Sequence, residues 1–171
     1  MSHTPEGYTS VAPWIVTRDT RRLLDYIKTV FDGEELARVP LEDGSIGHAE
    51  IWVGDTILLA FDQRPGWPAI PSLLRVFVED ADAATERAVA AGARVITHPA
   101  THAFGHRTAR IRDPFGNIWW ITAVVEDVPA EEVMRRLAQP AFEAAMRDAQ
   151  ETLDRELTGR DHGSASRPLT T

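Results

Sequence analysis

At 171 residues, with 43% hydrophobic and 26% charged side chains, the chain has the length of one domain and the make-up of a globular one. It contains no cysteine, which excludes disulfides and thiolate chemistry, and its net charge of −8, with the acids scattered, argues against nucleic acid or an anionic membrane as partner. The first residues are polar without a charged-then-apolar leader, and no apolar run approaches ~20 residues, so the cytoplasm is the expected compartment.

In chain order, residues 1–10 are polar and predict a flexible N-terminus. Val11 to Val16 reads as a strand, and Asp19 or Thr20 is placed to cap a helix. That helix carries Leu23, Leu24, Ile27, Val30 and Phe31 on one stripe and ends at Gly33. Three strands follow: Glu35 to Pro40, Gly47 to Val53, and Thr56 to Phe61. Residues 63–71, rich in proline and holding Trp67, form a linker. The pattern then repeats. Leu74 to Val78 is a strand, Asp80 opens an alanine-rich helix closed by Gly92, and Arg94 to Thr97 is a strand. His98 to Ala103 reads as a loop that leaves His98 and His102 at the surface. The stretch FGHRTARIRDPFGNIWWITAVV supplies two more strands about a tight turn at Asp113–Gly116, in which Pro114 presets φ and Gly116 supplies a positive φ. It echoes the earlier IGHAEIWVGDTILLAF, Gly-His included. The chain is therefore a duplication, with one β-α-β-β-β module over 11–62 and another over 72–126.

Past residue 126 the character changes. Asp127 is placed to cap a helix with Pro129 in its first turn, and Pro140 restarts another. Val133, Leu137, Phe142, Ala145, Met146, Ala149, Leu153 and Leu157 make a helical stripe that needs covering, by this chain's sheet or by a partner chain. The extension spans 127–158, and a tail at 159–171 is expected to be disordered.

Paired β-α-β-β-β modules with D-P-F-G-N-x-W-W closing the second resemble the vicinal oxygen chelate superfamily, and within it the glyoxalase/bleomycin-resistance-like group. The resemblance implies an α+β fold: two half-barrels around a cleft, plus C-terminal helices, commonly as a homodimer. Metal-dependent members carry His, Glu or Gln ligands on the first and last strand of each module. The matching positions here are Ala12, Leu58 (Leu59 if the register slips), Leu73 and Trp120, none of which binds a metal. No metal or other cofactor is therefore expected.

Strand alternation then assigns what lines the cleft. Trp14, Trp52, Phe77 and Trp120 supply aromatic area, with Thr122, Trp67 and Phe104 beside them. The polar groups are His48, Glu50, Arg75, His106 and Arg110. A mostly aromatic surface with a few convergent polar groups suits a small organic ligand. The leading expectation is thus metal-independent binding of an aromatic or peptide-like molecule, as in bleomycin-resistance proteins. The alternative is a glyoxalase- or dioxygenase-type enzyme that uses His48, Glu50 and His106 with Zn, Ni, Mn or Fe. Four or five aromatics in a small barrel also have a plain reading as filling, and a His-Glu pair at i, i+2 is most often structural.

Overall fold

A computed structural model describes residues 3–159, and the expected disordered tail lies, but for Gly159, outside the described residues. Two aspartates set the frame. The Asp19 side chain accepts from Arg22 N (3.1 Å) and opens α1 (Thr20–Phe31), and Asp80 accepts from Ala83 N (3.0 Å) and opens α2 (Ala81–Ala90). Around α1 run β1 (Trp14–Thr17), β2 (Glu34–Pro40), β3 (Ile46–Val53) and β4 (Thr56–Asp62), in the sheet order β1-β4-β3-β2. Around α2 run β5 (Leu73–Phe77), β6 (Arg94–Thr101), β7 (His106–Arg112) and β8 (Ile118–Val124), in the order β5-β8-β7-β6. In both sheets the first strand pairs parallel to the last, and the remaining pairs are antiparallel. The duplication expected from the sequence is therefore a duplication of topology.

Each sheet turns one face to the helices. Ile15, Ala49, Ile51 and Ala60 meet the Leu23–Ile27–Val30 stripe of α1, and Trp119, Ile121 and Ile111 meet Ala84 and Ala88 of α2. The alanines let α2 lie close. Burial of each Leu or Ile side chain here contributes about 1.5–3 kcal/mol. The modules join through this layer: Phe31 lies 4.7 Å from Trp119, and Arg87 donates two hydrogen bonds to the Val30 carbonyl. The opposite face of each sheet is called distal below.

Several boundaries differ from the sequence reading. β1 starts at Trp14 rather than Val11, because Pro13 has no N–H to offer and only its carbonyl is paired, with Leu59 N at 2.9 Å. Helix α1 stops one residue before Asp32, which takes a left-handed φ of 53° ahead of Gly33. Strand β6 runs on to Thr101 and absorbs the expected loop. It is an edge strand, so Pro99 costs no ladder bond there, and the register shifts between Thr97 and Ala100. Asp127 does not cap α3 (Ala130–Leu137), whose N-cap position is Pro129 without a side-chain bond. Helix α4 (Pro140–Thr158) does begin at the expected proline.

Asp113 organises the turn between β7 and β8. Its buried carboxylate accepts from Phe115 N (2.9 Å), Asn117 N (2.8 Å), Asn117 Nδ2 (2.8 Å) and Trp119 Nε1 (2.9 Å). One side chain thereby ties the D-P-F-G-N turn to the core indole.

Candidate functional site

The distal faces carry the predicted site residues, on two separate surfaces. On the first module the register brings Trp14 opposite Leu59 and Leu59 opposite Glu50, so all three share the distal face. The side chain at 59, not 58, is the distal one. Leu58 instead packs in the core beside Ile51, which corrects the first choice of register. Trp14 meets His48 edge-on at 5.6 Å and Phe61 at 5.3 Å, and Phe61 meets Trp67 of the linker at 6.1 Å. Trp14 and Trp67 remain 45% and 42% exposed, so this aromatic row presents open area.

Three polar groups sit beside the row. His48 Nε2 lies 2.9 Å from Glu50 Oε1, and the Tyr8 hydroxyl bonds to the same carboxylate. The His48 bond first, and Tyr8 after it, hold the Glu50 carboxyl below its ordinary pKa. An ionised carboxylate only accepts, so Nε2 carries the proton and donates. Tyr8 arrives on a turn closed by Tyr8 N on the Pro5 carbonyl (3.2 Å). Gly7 of that turn has φ +79°, and a Cβ there would stand 3.2 Å from the Trp52 ring. Residues 3–10 thus hold no helix or strand, yet Gly7 and Tyr8 lie on Trp52 and Glu50.

On the second module Arg75 is the hub. Its guanidinium lies 5.0 Å from the Phe77 ring and 5.1 Å from the Trp120 ring. Its Nε donates to Thr122 Oγ1 (3.1 Å), and Nη2 donates to His106 Nδ1 (3.4 Å). Phe104 stands edge-on to His106 at 5.0 Å and stacks on His102 at 5.4 Å. His98 is exposed as expected, whereas His102 is 3% exposed and bonded through Nε2 to Thr108 Oγ1 (2.8 Å). Burial, helped by the charges of Arg110, His106 and Arg75, pushes the His102 pKa down and keeps the ring neutral.

Arg110 is placed differently from its neighbours. It stacks on Trp120 at 4.0 Å but is 5% exposed, and its Nη1 donates to the Ala149 carbonyl and to Thr97 Oγ1 (3.3 Å). Helix α4 therefore lies over the distal face of the second sheet. Thr97 and Thr152 share a 2.6 Å bond, and Glu156 takes Arg94 at 2.7 Å and Arg112 at 2.5 Å. The stripe that needed covering is covered in part by this chain, while Leu157 stays 61% exposed.

The two histidines of the Gly-His echo are not equivalent. Glu50 pairs with Leu59 beside Trp14, and the corresponding place beside Arg75 and Trp120 belongs to Arg110. His106, opposite Val124, sits one same-face step nearer the strand end than His48 does. Gly105 has its own reason: φ is +78°, and a Cβ would collide with the Glu126 carbonyl. Trp14, His48, Glu50, Trp52 and Trp67 thus gather on the first module. Arg75, Phe77, Phe104, His106, Arg110, Trp120 and Thr122 gather on the second. The ring and cation–π contacts above stay within each set. Phe61 was findable by alternation from Leu59; Tyr8 had no periodic signal.

The donor chemistry of a metal site can be tested strand by strand. The distal side chains are Trp14 and Val16 on β1, Ile57, Leu59 and Phe61 on β4, Leu73, Arg75 and Phe77 on β5, and Ile118, Trp120, Thr122 and Val124 on β8. No His, Glu, Gln, Asp or Cys occurs among them, and on the opposite faces of these strands Asp62 is the one such group, already accepting from Thr20 N and Ile46 N, so a one-residue slip assembles no ligand set. Among the described residues, no three such groups gather within the chain. Clefts of about 560, 680 and 640 Å³ lie at the module junction, the 680 Å³ one between Phe31–Asp32 and Glu79–Asp80. The 560 Å³ cleft is bounded by Arg18, Arg22 and the Pro114–Gly116 turn, and the 640 Å³ cleft by Leu58, Leu74 and the outer strand residues Arg75 and Phe77.

The fold, two topologically identical mixed sheets each backed by a helix, defines a paired-module α+β protein. The sequence profile of the Glyoxalase/Bleomycin resistance protein/Dioxygenase superfamily matches residues 7–121, and the chain belongs to that superfamily. An uncharacterized protein of Mycobacterium tuberculosis is 31% identical over 140 residues, covering 75% of this chain and 82% of that protein. TioX from Micromonospora sp. ML1 superposes with a TM-score of 0.56 at 24% identity, over 71% of this chain and 100% of that one. The fosfomycin resistance protein FosX from Mesorhizobium loti superposes with a TM-score of 0.53 at 17% identity, over 75% and 98%. At these identities the two structures speak to the fold. No helix among the described residues is long and apolar enough to cross a membrane.

Proposed function

We propose that the protein binds a small aromatic or peptide-like organic molecule without a metal, in the manner that the superfamily's bleomycin-resistance branch suggests. The observation that carries this reading is the side-chain chemistry of β1, β4, β5 and β8. At the positions matched to the superfamily's metal ligands stand Ala12, Leu59, Leu73 and Trp120, with Trp14 and Arg75 on the distal face beside them. Aromatic faces supply contact area and the few polar groups supply orientation. An Arg held beside Phe77 and Trp120 suits a carboxylate or a further stacked ring. Two resistance proteins in the wider picture, the superfamily's namesake and FosX, support an antibiotic as the ligand class.

The first distal face and the β5 side of the second, which α4 leaves uncovered, are open in one chain, with Trp14, Leu73 and Phe77 45%, 58% and 61% exposed. A homodimer that sets the first module of one chain against the second module of its partner would close these faces over a ligand, and its mass in solution tests it. The function is tested by a thermal-shift screen of planar aromatic and peptide-like natural products, followed by calorimetry of the hits. The reading expects a binder whose affinity falls in Trp14→Ala and Phe77→Ala. Turnover of an electrophile with no binder in the screen would overturn it.

A further inference from the structure

We propose that His48 is a selectivity element for the aromatic ligand: held by Glu50 and Tyr8, its free Nδ1 accepts a hydrogen bond from a weakly acidic O–H, so the site prefers phenols over their ethers. This rests on the aromatic-binding reading and adds the ligand's functional group to it.

The argument is one of tautomer and placement. Glu50 receives two donors, Tyr8 and His48 Nε2, and as an acceptor-only carboxylate it fixes the imidazole proton on Nε2. The lone pair on Nδ1 is left over. Nδ1 has no hydrogen-bond partner among the described residues, and the His48 side chain is 35% accessible, so a ligand can reach it. Trp14 stands edge-on to the same ring at 5.6 Å and continues through Phe61 to Trp67. An aromatic ring laid along that row brings a substituent to Nδ1. Trp14, Leu59 and Phe61 carry no side-chain acceptor, and His48, edge-on to Trp14, supplies one beside them. A site built around one fixed acceptor disfavours an analogue without the donor, because the acceptor then goes unmatched.

The test uses 4-methylphenol and 4-methylanisole, which share a ring and differ in the O–H, titrated by calorimetry at about pH 7, where the phenol keeps its proton. The expected result is tighter binding of the phenol by about tenfold, falling to about equal affinities in His48→Phe. Glu50→Gln gives a readout that a structural role would not move. The carboxamide can donate to Nε2 as well as accept from it, so the proton is no longer fixed on Nε2 and the preference for the O–H weakens while the protein stays folded by circular dichroism. Tyr8→Phe, which removes one of the two donors to Glu50, weakens the preference without abolishing it. Binding of both compounds with a ratio that His48→Phe leaves unchanged overturns this proposal and leaves the aromatic reading standing. Loss of both ligands in folded His48→Phe also overturns it, since His48 would then only shape the surface. If neither compound binds the wild-type protein, both readings fall.

Discussion

Replacing Arg110 with Met should release α4 without unfolding the domain. The methylene chain still covers Trp120, but Nη1 no longer reaches the Ala149 carbonyl and Thr97 Oγ1. Hydrogen bonds from a charged donor contribute about 1.5–3 kcal/mol, and the abandoned carbonyl adds a desolvation cost, so local docking weakens by about 2–3 kcal/mol. The ties that remain are the Thr97–Thr152 bond and the Glu156 pairs with Arg94 and Arg112, all nearer the helix C-terminus. Ala149 is the one fully buried α4 residue among those described, and a 19-residue helix is marginal alone in water. Opening of α4 should therefore rise about 30- to 150-fold, read as faster amide exchange across 140–158 with the sheet amides unchanged. Removal of the Glu156 anchor in Glu156→Gln should push the same amides further in the same direction. Unchanged protection of α4 in Arg110→Met would refute the reasoning, as would a uniform rise over the whole chain, which would make Arg110 a core residue instead of a tether.

Asp113→Ala leaves four N–H donors without their acceptor, the Trp119 indole among them, and should cost about 3–5 kcal/mol, at the upper end for single substitutions. Thermal denaturation reads it as a fall of roughly 6–20 °C for a chain of this size, and a fall under about 3 °C would contradict the network. Acid should loosen α4 before the sheets. Burial works against the Glu156 carboxylate, but Arg94 and Arg112 together more than offset it and hold its pKa below the ordinary value. A depressed carboxyl pKa stabilises the fold above its unfolded value, and that stabilisation is lost as pH falls through the folded one. Near-ultraviolet circular dichroism from the tryptophans should thus be flat between about pH 6 and 8 and change below about pH 4. A transition near neutrality would point to a histidine instead.

The duplication, the helices and the faces of most strands were legible because they rest on local signals. Asp19 and Asp80 mark helix starts, alternation separates Trp119 from Trp120, and the D-P-F-G turn declares itself. What escaped depends on contacts far apart in sequence. Arg110 alternates correctly to the distal face, yet its partner lies 39 residues away on α4, so periodicity gave no sign that the residue is buried. His102 looked like loop surface because Pro99 suggested a break, while an edge strand tolerates that proline and the connection just past its end at Thr101 places His102 on Thr108. The Gly-His echo matched letters without matching register, because Gly105 is required by the Glu126 carbonyl and not by a repeat of the first module. Tyr8 came from a stretch with no pattern, and its importance appears only through Glu50.

Non-chelating side chains, Ala12, Leu59, Leu73 and Trp120, stand at the matched metal-ligand positions, and aromatic rings line the faces beside them. The most direct test of that central claim is calorimetric titration of an aromatic ligand from the screen into protein stripped with a chelator, against the same protein supplied in turn with Zn, Ni, Mn and Fe. The account predicts one affinity throughout and no stoichiometric metal by elemental analysis. Binding that vanishes on stripping and returns with one divalent ion would contradict it.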